Sequence, residues 1–215
     1  MIKAVLFDLD GVLIETEYRN IRIKADICRK HGLKWDDSNF YTAAARPFAR
    51  MLPIMYPELT ERQVKEILDE YRPLGYVGLD YHRLRTAGAS ELLQILHDQG
   101  YKIAIVSLSS TEKINEVLEV NDWENLIECF VSYDDVEKAK PDPDGYFKAM
   151  KKLSVSPDEC VIIEDSQVGI EAAKAAGCVC ICRRENRYPI EQHGADYYID
   201  DMPKAVGIIN ELERI

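Results

Sequence analysis

Basic residues are in the minority in this sequence of 215 residues. It contains 27 Lys and Arg against 38 Asp and Glu, which gives a formal net charge of −11. A protein that binds nucleic acid or an anionic membrane surface generally needs a basic surface, so we expect neither kind of partner. A single phosphate group is still compatible with this charge, because a few local cations or a metal ion suffice to hold it.

Long apolar runs and targeting signals are also missing. No stretch approaches the ~18 apolar residues that a membrane-spanning helix requires. The N-terminus carries one Lys and a short apolar run that acidic residues follow, which does not match a secretory signal peptide. These absences predict a cytoplasmic protein with no membrane segment.

The six cysteines do not form the pattern of a disulfide framework, which is typical of shorter, loop-rich secreted chains. Three of them alternate in Cys178-Val-Cys-Ile-Cys182, so a strand would place their sulfurs on one face. No fourth ligand with the spacing of a zinc finger follows. We therefore expect buried, reduced thiols rather than a metal site.

From about residue 87 the chain alternates short apolar runs with amphipathic stretches, which is typical of βαβ units. This pattern predicts a Rossmann-like α/β fold with a parallel sheet that is covered on both faces. Gly100 and Gly177 stand where helix C-caps are expected. The predicted strands are Lys3–Asp8, Lys102–Val106, Cys129–Val131, Cys160–Ile163, Cys178–Ile181 and Tyr197–Ile199, and the predicted helices are Ser90–Gln99, Glu112–Val120, Gly145–Leu153 and Val168–Ala176.

The region between the first strand and the rest carries only helical patterns. Apolar positions recur at helical spacing from Ile21 to Cys28, and Thr60-Glu-Arg-Gln63 is a capping-box signature before another amphipathic stretch. The sequence therefore predicts an all-helical insert in an α/β core. The predicted boundaries are 1–14 and 85–215 for the core and 15–84 for the helical cap.

Polar side chains occur where the predicted strands end. They lie in Asp8-Leu-Asp10-Gly11, in Ser107-Leu-Ser109, in Lys140-Pro141 after the third of these strands, and in Glu164-Asp165. Each group alone has an ordinary structural explanation as a turn or a helix cap. Because the carboxyl ends of parallel strands meet at one edge of a sheet, their joint placement predicts a functional site there.

In these motifs the sequence resembles the haloacid dehalogenase-like phosphohydrolases, most closely the β-phosphoglucomutase-like branch with a helical cap. Asp8-Leu-Asp-Gly-Val12 matches the first family motif and Ser107 the second. Lys140-Pro141 matches the third and Glu164-Asp-Ser-Gln-Val-Gly169 the fourth. The motifs follow the family's order with the insert in the expected gap, and the resemblance covers essentially the whole chain.

The resemblance implies that Asp8 is the nucleophile and forms an aspartyl-phosphate, which divides one difficult step into two easier ones. Asp10 resembles the family's general acid/base, which protonates the leaving oxygen and then activates water. Ser107 and Lys140 would bind phosphate oxygens, and Lys140 would also contact the nucleophile.

The resemblance also implies Mg²⁺ as the cofactor, because this hard cation prefers oxygen ligands and reduces the repulsion between a carboxylate and a phosphate. Its ligands would be the Asp8 carboxylate, the Asp10 backbone carbonyl and the Asp165 carboxylate, with Glu164 beside them. The expected substrate contacts are Leu9, Leu108 and Ser109 in the core and Thr16, Asn20, Arg46 and Arg72 in the cap.

We expect a monomeric phosphatase that acts on a small phosphorylated metabolite such as a sugar phosphate. A sugar phosphomutase is the first alternative, although Asn20 stands where the sugar mutases carry a His. A non-enzymatic phospho-acceptor domain would not need Asp10 or the cap, and a dehalogenase would not need the acidic pair for a metal. A phosphonate hydrolase would need an amine from the cap lysines, which are Lys24, Lys30, Lys34 and Lys65.

Overall fold

The computed structural model of the chain describes residues 1–36, 38–43, 47–76 and 79–214. The chain forms two compact units. The first comprises Met1–Glu15, Tyr81–Arg184 and the chain from Gln192 onward, and the second comprises Thr16–Asp80 and Glu185–Glu191. The chain therefore passes between the units at four points, whereas a single insertion would need only two.

The first unit is built on a parallel sheet. Its strands are β1 (Ala4–Phe7), β2 (Lys102–Val106), β3 (Cys129–Val131), β4 (Cys160–Glu164), β5 (Val179–Arg183) and β6 (Tyr197–Ile199). They lie in the order β3-β2-β1-β4-β5-β6, and every neighbouring pair is parallel. This confirms the predicted Rossmann-like α/β fold. All residues of β1 and β4 are buried, as expected for strands that are covered on both faces.

Helices make up the second unit and flank the strands of the first in sequence. They are α1 (Thr16–Lys30), α2 (Ser38–Ala43), α3 (Phe48–Met55) and α4 (Glu61–Tyr76) in the second unit, and α5 (Ala89–Asp98), α6 (Thr111–Val120), α7 (Asp144–Leu153), α8 (Gln167–Ala175) and α9 (Lys204–Leu212) in the first. The strands and helices predicted from residue 87 onward are present with ends shifted by two residues at most, and α9 is an addition. No helix in the described ranges is long and apolar enough to cross a membrane.

Local hydrogen bonds fix the helix ends that border the strands. Ser110 and Ser166 cap α6 and α8, because each side chain accepts a hydrogen bond from the backbone N–H three residues further along. Gly100 and Gly177 follow α5 and α8, and their N–H groups donate to carbonyls of the last helical turn, as predicted for C-caps. The serine caps set where the chain passes from a strand to a helix, and the glycines set where it passes from a helix to a strand.

The cysteines of β5 and its flank belong to the core. Cys178, Cys180 and Cys182 lie in one buried apolar cluster with Cys160 of β4, and all six cysteines of the chain are free thiols. Burial raises the pKa of Cys182 to about 12, so its thiol stays protonated near neutral pH. The predicted one-sided arrangement of buried thiols is confirmed.

The second unit has its own apolar core, to which α1 contributes Ile21 and Cys28. The predicted capping box at Thr60 is present: the Thr60 N–H donates to Gln63 Oε1 (3.0 Å), and the Gln63 N–H donates to Thr60 Oγ1 (3.4 Å). This box begins α4, whose buried face includes Ile67. The helical character predicted for the insert is therefore confirmed.

A later segment of the chain, Glu185–Glu191, also belongs to the second unit. The Tyr188 ring stacks on Tyr18 of α1 and on Phe40 of α2, with centroid distances of 5.8 Å and 5.7 Å. The Arg187 guanidinium lies over the Tyr18 ring, 5.3 Å from its centroid. We call Glu185–Glu191 the strap. The helical patterns of the sequence do not indicate it, because its place depends on contacts with distant residues.

Candidate active site

The polar residues of the first unit meet at the carboxyl edge of its sheet. Asp8 follows β1 directly, Ser107 follows β2, and Glu164 ends β4. Phe7 is in register with Ile105 of β2 and Ile163 of β4, so Asp8 lies level with Val106 and Glu164, and Ser107 lies one residue beyond Val106. Because β1 lies between β2 and β4, Asp8 occupies the centre of this edge.

Lys140 joins two of these carboxylates. Its ammonium donates to Asp8 Oδ1 at 2.6 Å and to Glu164 Oε1 at 2.5 Å, and also to the Val106 carbonyl at 2.9 Å. The Lys140 side chain is only 6% exposed and that of Glu164 is 0% exposed. A buried charge is stable only when it is paired and hydrogen-bonded, and this geometry meets both conditions.

The same burial changes the pKa values of Asp8 and Lys140. The pKa of Asp8 is raised to about 7, mainly by burial; the carboxylates of Glu164 and Asp10 also raise it, and Lys140 partly offsets these effects. Burial favours the neutral amine of Lys140, but Asp8 and Glu164 outweigh this effect and raise its pKa above the usual value. Lys140 thus remains an ammonium beside a carboxyl group that a further cation would ionise.

Both carboxylate oxygens of Glu164 accept hydrogen bonds. Oε1 accepts from Lys140 and from the Tyr146 hydroxyl at 2.7 Å. Oε2 accepts from the backbone N–H groups of Asp165 and Ser166 at 3.0 and 3.3 Å, and from the Ser166 hydroxyl at 3.3 Å. This carboxylate is therefore suited to holding Lys140 in place. Tyr146 is a member of the site that the sequence motifs do not reveal.

Asp165 lies against the turn that follows β1. Gly11 has φ +96°, and a Cβ atom at this position would lie 1.9 Å from Asp165 Oδ2. Only glycine fits, because it tolerates this backbone angle and leaves room for the carboxylate. The turn and the fourth motif are thus in direct contact.

The site contains a candidate position for a divalent cation. Among the residues that the structure describes, one group of three acidic side chains brings a ligand oxygen of each within 4.8 Å of the others: Asp8, Glu164 and Asp165, all of them buried. Carboxylate oxygens at this spacing match the preference of Mg²⁺. Because Glu164 already accepts hydrogen bonds on both oxygens, Asp8 and Asp165 fit the ion best.

Asp10 has separate partners from Asp8. Its Oδ2 accepts from the Ser109 hydroxyl at 2.6 Å, and its Oδ1 accepts from the ammonium of Lys113 at 2.6 Å. Lys113 is absent from the predicted site. A signal was available, since a lysine in the first turn of α6 opposes the helix dipole and such a conflict often marks a functional position.

The remaining predicted groups of the first unit lie close by. Ser107 is buried, and its Oγ accepts from the Ser109 N–H at 3.0 Å. The Leu9 side chain is fully buried, so only its backbone is available to a ligand, whereas Leu108 is exposed. The structure therefore brings the predicted polar residues of the core motifs to the same edge of the sheet.

Three of the four predicted cap residues lie in the described part of the second unit. Thr16 is buried, and Asn20 has a buried Oδ1 that finds no hydrogen-bond partner within the part of the chain that the structure describes. Arg72 has a side chain that is 72% exposed and pairs with Asp69 on the same helix, as a solvated surface residue does. Arg46 lies outside the described residues.

Of the four cap lysines, the structure buries one. Lys24 donates to the Ala43 carbonyl at 3.1 Å, and burial lowers its pKa. The other three are exposed and form ion pairs: Lys30 with Glu70, Lys34 with Asp36, and Lys65 with Asp69.

A parallel sheet with two separately held aspartates, a buried ammonium and an acidic pair at its carboxyl edge matches what a phosphohydrolase requires. The comparison with known families agrees with this class. The chain belongs to the haloacid dehalogenase-like hydrolases, whose family model matches residues 5–182.

Individual relatives are phosphatases by name. Validoxylamine A 7'-phosphate phosphatase of Streptomyces hygroscopicus subsp. limoneus is 31% identical over 181 residues, which cover 84% of this chain and 85% of the relative. Phosphorylated carbohydrates phosphatase of Thermotoga maritima is 28% identical over 181 residues, with 81% and 82% covered. Among solved structures, β-phosphoglucomutase of Clostridium difficile has a TM-score of 0.79 at 22% identity and covers 100% of this chain and 98% of its own. This last likeness concerns the fold.

Proposed function

We propose that the protein is a Mg²⁺-dependent phosphatase that hydrolyses a small phosphorylated metabolite, with a sugar phosphate as the leading substrate class, through an aspartyl-phosphate on Asp8. We further propose that it acts as a monomer in the cytoplasm. The names of the two phosphatase relatives support a small phosphorylated substrate, since one is named for validoxylamine A 7'-phosphate and the other for phosphorylated carbohydrates.

One observation carries the proposal: Asp8 lies at the centre of the carboxyl edge with Lys140 at 2.6 Å and Asp165 in the same acidic group. A carboxylate that is buried beside a fixed ammonium is shielded from bulk water and oriented for attack. Phosphoryl transfer depends mainly on such positioning and on the neutralisation of charge. A structural ion pair alone would not require the additional acid at Asp165.

In the first step an oxygen of Asp8 attacks phosphorus, and the bond between phosphorus and the leaving oxygen breaks. Asp10 gives its proton to that oxygen, so the leaving group departs as an alcohol. Lys140 and the Ser107 hydroxyl bind the phosphoryl oxygens as charge moves onto them. Ser109 and Lys113 keep the Asp10 carboxyl group in position.

In the second step Asp10, now ionised, takes a proton from a water molecule. The oxygen of this water forms a bond to phosphorus, and the bond between phosphorus and Asp8 breaks. The products are inorganic phosphate and a regenerated Asp8 carboxylate. Asp10 therefore serves as acid and then as base, which a phospho-acceptor domain does not need.

Asp8 and Asp165, with the backbone carbonyl of Asp10, are the residues that would hold Mg²⁺. Bound there, the ion would offset the repulsion between Asp8 and the dianionic phosphate ester and would keep Asp8 ionised. Glu164 supports this arrangement through Lys140.

The first experiment measures phosphate release from a panel of sugar phosphates, nucleotides and cofactor phosphates, with Mg²⁺ and with EDTA. We expect Mg²⁺-dependent release that is highest on sugar phosphates and absent in Asp8→Asn. Full activity in EDTA would overturn the metal dependence, and activity of Asp8→Asn within tenfold of the parent would overturn the nucleophile.

A second experiment separates the phosphatase from a sugar phosphomutase. The enzyme receives β-glucose 1-phosphate with a trace of glucose 1,6-bisphosphate and Mg²⁺. Asn20 cannot take up or release a proton near neutral pH, unlike the His of the sugar mutases, so we expect free phosphate as the main product. Rapid formation of glucose 6-phosphate with little free phosphate would overturn the phosphatase.

A further inference from the structure

Arg183 reaches from the end of β5 to the turn that follows β1. Its guanidinium donates through Nη1 to the Gly11 carbonyl at 2.6 Å and pairs through Nη2 with the carboxylate of Glu15. The side chain is only 13% exposed. Because a guanidinium is a rigid, planar group, these two contacts hold the backbone of the turn in one orientation relative to β5.

Gln192 makes a similar contact with the fourth motif. Its side-chain nitrogen Nε2 donates to the Asp165 carbonyl at 2.5 Å and to the Arg183 carbonyl at 2.9 Å. Both partners are acceptors, so the nitrogen and not the oxygen of the amide must face them. The Gln192 side chain thus connects the backbone of Asp165 to the backbone of Arg183.

These contacts link Asp165, Gly11, Arg183 and Gln192 in a closed ring beside the acidic site. The Asp165 carboxylate lies on Gly11, whose carbonyl is held by Arg183, and the Asp165 carbonyl is held by Gln192, which is bonded back to Arg183. The contacts of Arg183 and Gln192 with Gly11 and Asp165 are made to backbone carbonyls. They act on the site through its backbone.

We propose that Arg183 and Gln192 are positioning residues that set the distance between the Asp8–Asp10 turn and the Asp165 carboxylate, and thereby the affinity of the site for a divalent cation. The inference rests on the proposed function for the identity of the ion. Partners outside the ligand shell that orient ligands commonly change metal affinity or activity by about 10–100-fold when they are removed.

The experiment compares Gln192→Met, which keeps the shape of the side chain and removes its donor, with Gln94→Met, an exposed glutamine on α5. Arg183→Lys, which keeps the charge and loses the fork, is compared with Arg184→Lys, whose guanidinium lies over the Tyr198 ring. Binding of Mg²⁺ to each protein without substrate is measured by isothermal titration calorimetry, alongside thermal melting and phosphate release.

We expect Gln192→Met and Arg183→Lys each to raise the Kd for Mg²⁺ by about tenfold or more, with little change in melting temperature, while the control variants bind as the parent does. A Kd within twofold of the parent in both test variants would overturn the inference and leave the proposed function intact. A parent protein that neither binds Mg²⁺ nor releases phosphate would overturn both. If one variant does not fold, the other decides the result by the same criterion.

Discussion

Lys113 donates to one carboxylate oxygen of Asp10 at 2.6 Å, while the hydroxyl of Ser109 donates to the other at the same distance. Asp8, two residues earlier, is held instead by Lys140. Each of the two aspartates therefore has its own cation, although they are close in sequence. This separation allows one carboxylate to act as a nucleophile while the other handles a proton.

The first prediction concerns Lys113→Met. The Asp10 carboxylate loses the donor that fixes one of its oxygens, and misplacement of a catalytic group by about 1 Å can cost up to about 10²-fold in rate. We expect kcat to fall about tenfold or more on an alkyl phosphate, whose leaving oxygen needs a proton. The loss should be clearly smaller on 4-nitrophenyl phosphate, whose leaving group departs as a stable anion.

A matched control is Lys148→Met, in the first unit, which removes an ion pair with Asp144 on α7. This variant should keep both rates. Equal losses of Lys113→Met on the two substrates would contradict a role through Asp10.

The second prediction concerns the stability of Asp8→Asn without metal. The pKa of Asp8 rises from 3.8 to about 7 on folding because of burial, so the native state binds this proton more tightly than the unfolded state. The stabilisation that this proton gives the native state is complete below about pH 4 and is lost as the pH rises to about 7. Asn carries no such charge, so the melting temperature of the variant minus that of the parent should increase as the pH rises from about 4 to about 7.

Thermal melts of both proteins in EDTA across this pH range test the second prediction. A difference between the two melting temperatures that stays constant with pH would contradict it. The same variant should release no phosphate from any substrate, which links the loss of activity to a folded protein.

Most residues of the core motifs could be predicted from the sequence, because they lie within three residues of a strand end, whereas Lys140 lies further along the loop that follows β3. Parallel topology then brings Asp8, Ser107 and Glu164 to one edge without further information. Local features of the fold, such as the capping box at Thr60, could also be predicted from the sequence.

Residues that support the site from a distance could not be found from the strand ends, although the position of Lys113 in the first turn of a helix was a signal in its own right. Tyr146 and Lys113 lie on helices, and only the packing of α7 and α6 brings them to Glu164 and Asp10. The same holds for the strap, since Tyr188 is far in sequence from the rings on which it stacks. Hydrophobic periodicity describes one element at a time, whereas these contacts join elements.

The third prediction concerns the strap. Tyr188→Ala removes a ring that is 5% exposed and stacked on Tyr18 and Phe40. Truncation of a buried aromatic side chain to Ala typically costs about 3–5 kcal/mol. We expect a lower melting temperature and faster proteolysis within α1 and α2, whereas Tyr188→Phe, which keeps the ring, should resemble the parent. Protection of these helices in Tyr188→Ala equal to that of the parent would contradict a structural role for the strap.

The last prediction separates the two neighbouring acids of the fourth motif. Glu164→Gln and Asp165→Asn are isosteric changes, and each removes one negative charge. Asp165 belongs to the acidic group and lies on the Gly11 turn, so Asp165→Asn should raise the Mg²⁺ concentration for half-maximal activity about tenfold or more. Glu164 accepts hydrogen bonds from Lys140, Tyr146 and the backbone, so Glu164→Gln should act chiefly on Lys140.

Removal of one partner from a buried ion pair is strongly destabilising, because the remaining charge loses its compensation. In Glu164→Gln, Lys140 keeps Asp8 as a partner, so we expect a reduced melting temperature in a folded protein, a lower kcat, and a half-activating Mg²⁺ concentration close to that of the parent. Mg²⁺ titrations of activity and thermal melts of both variants provide the measurement. The reverse pattern, with metal affinity lost mainly in Glu164→Gln, would make Glu164 the ligand and Asp165 its support.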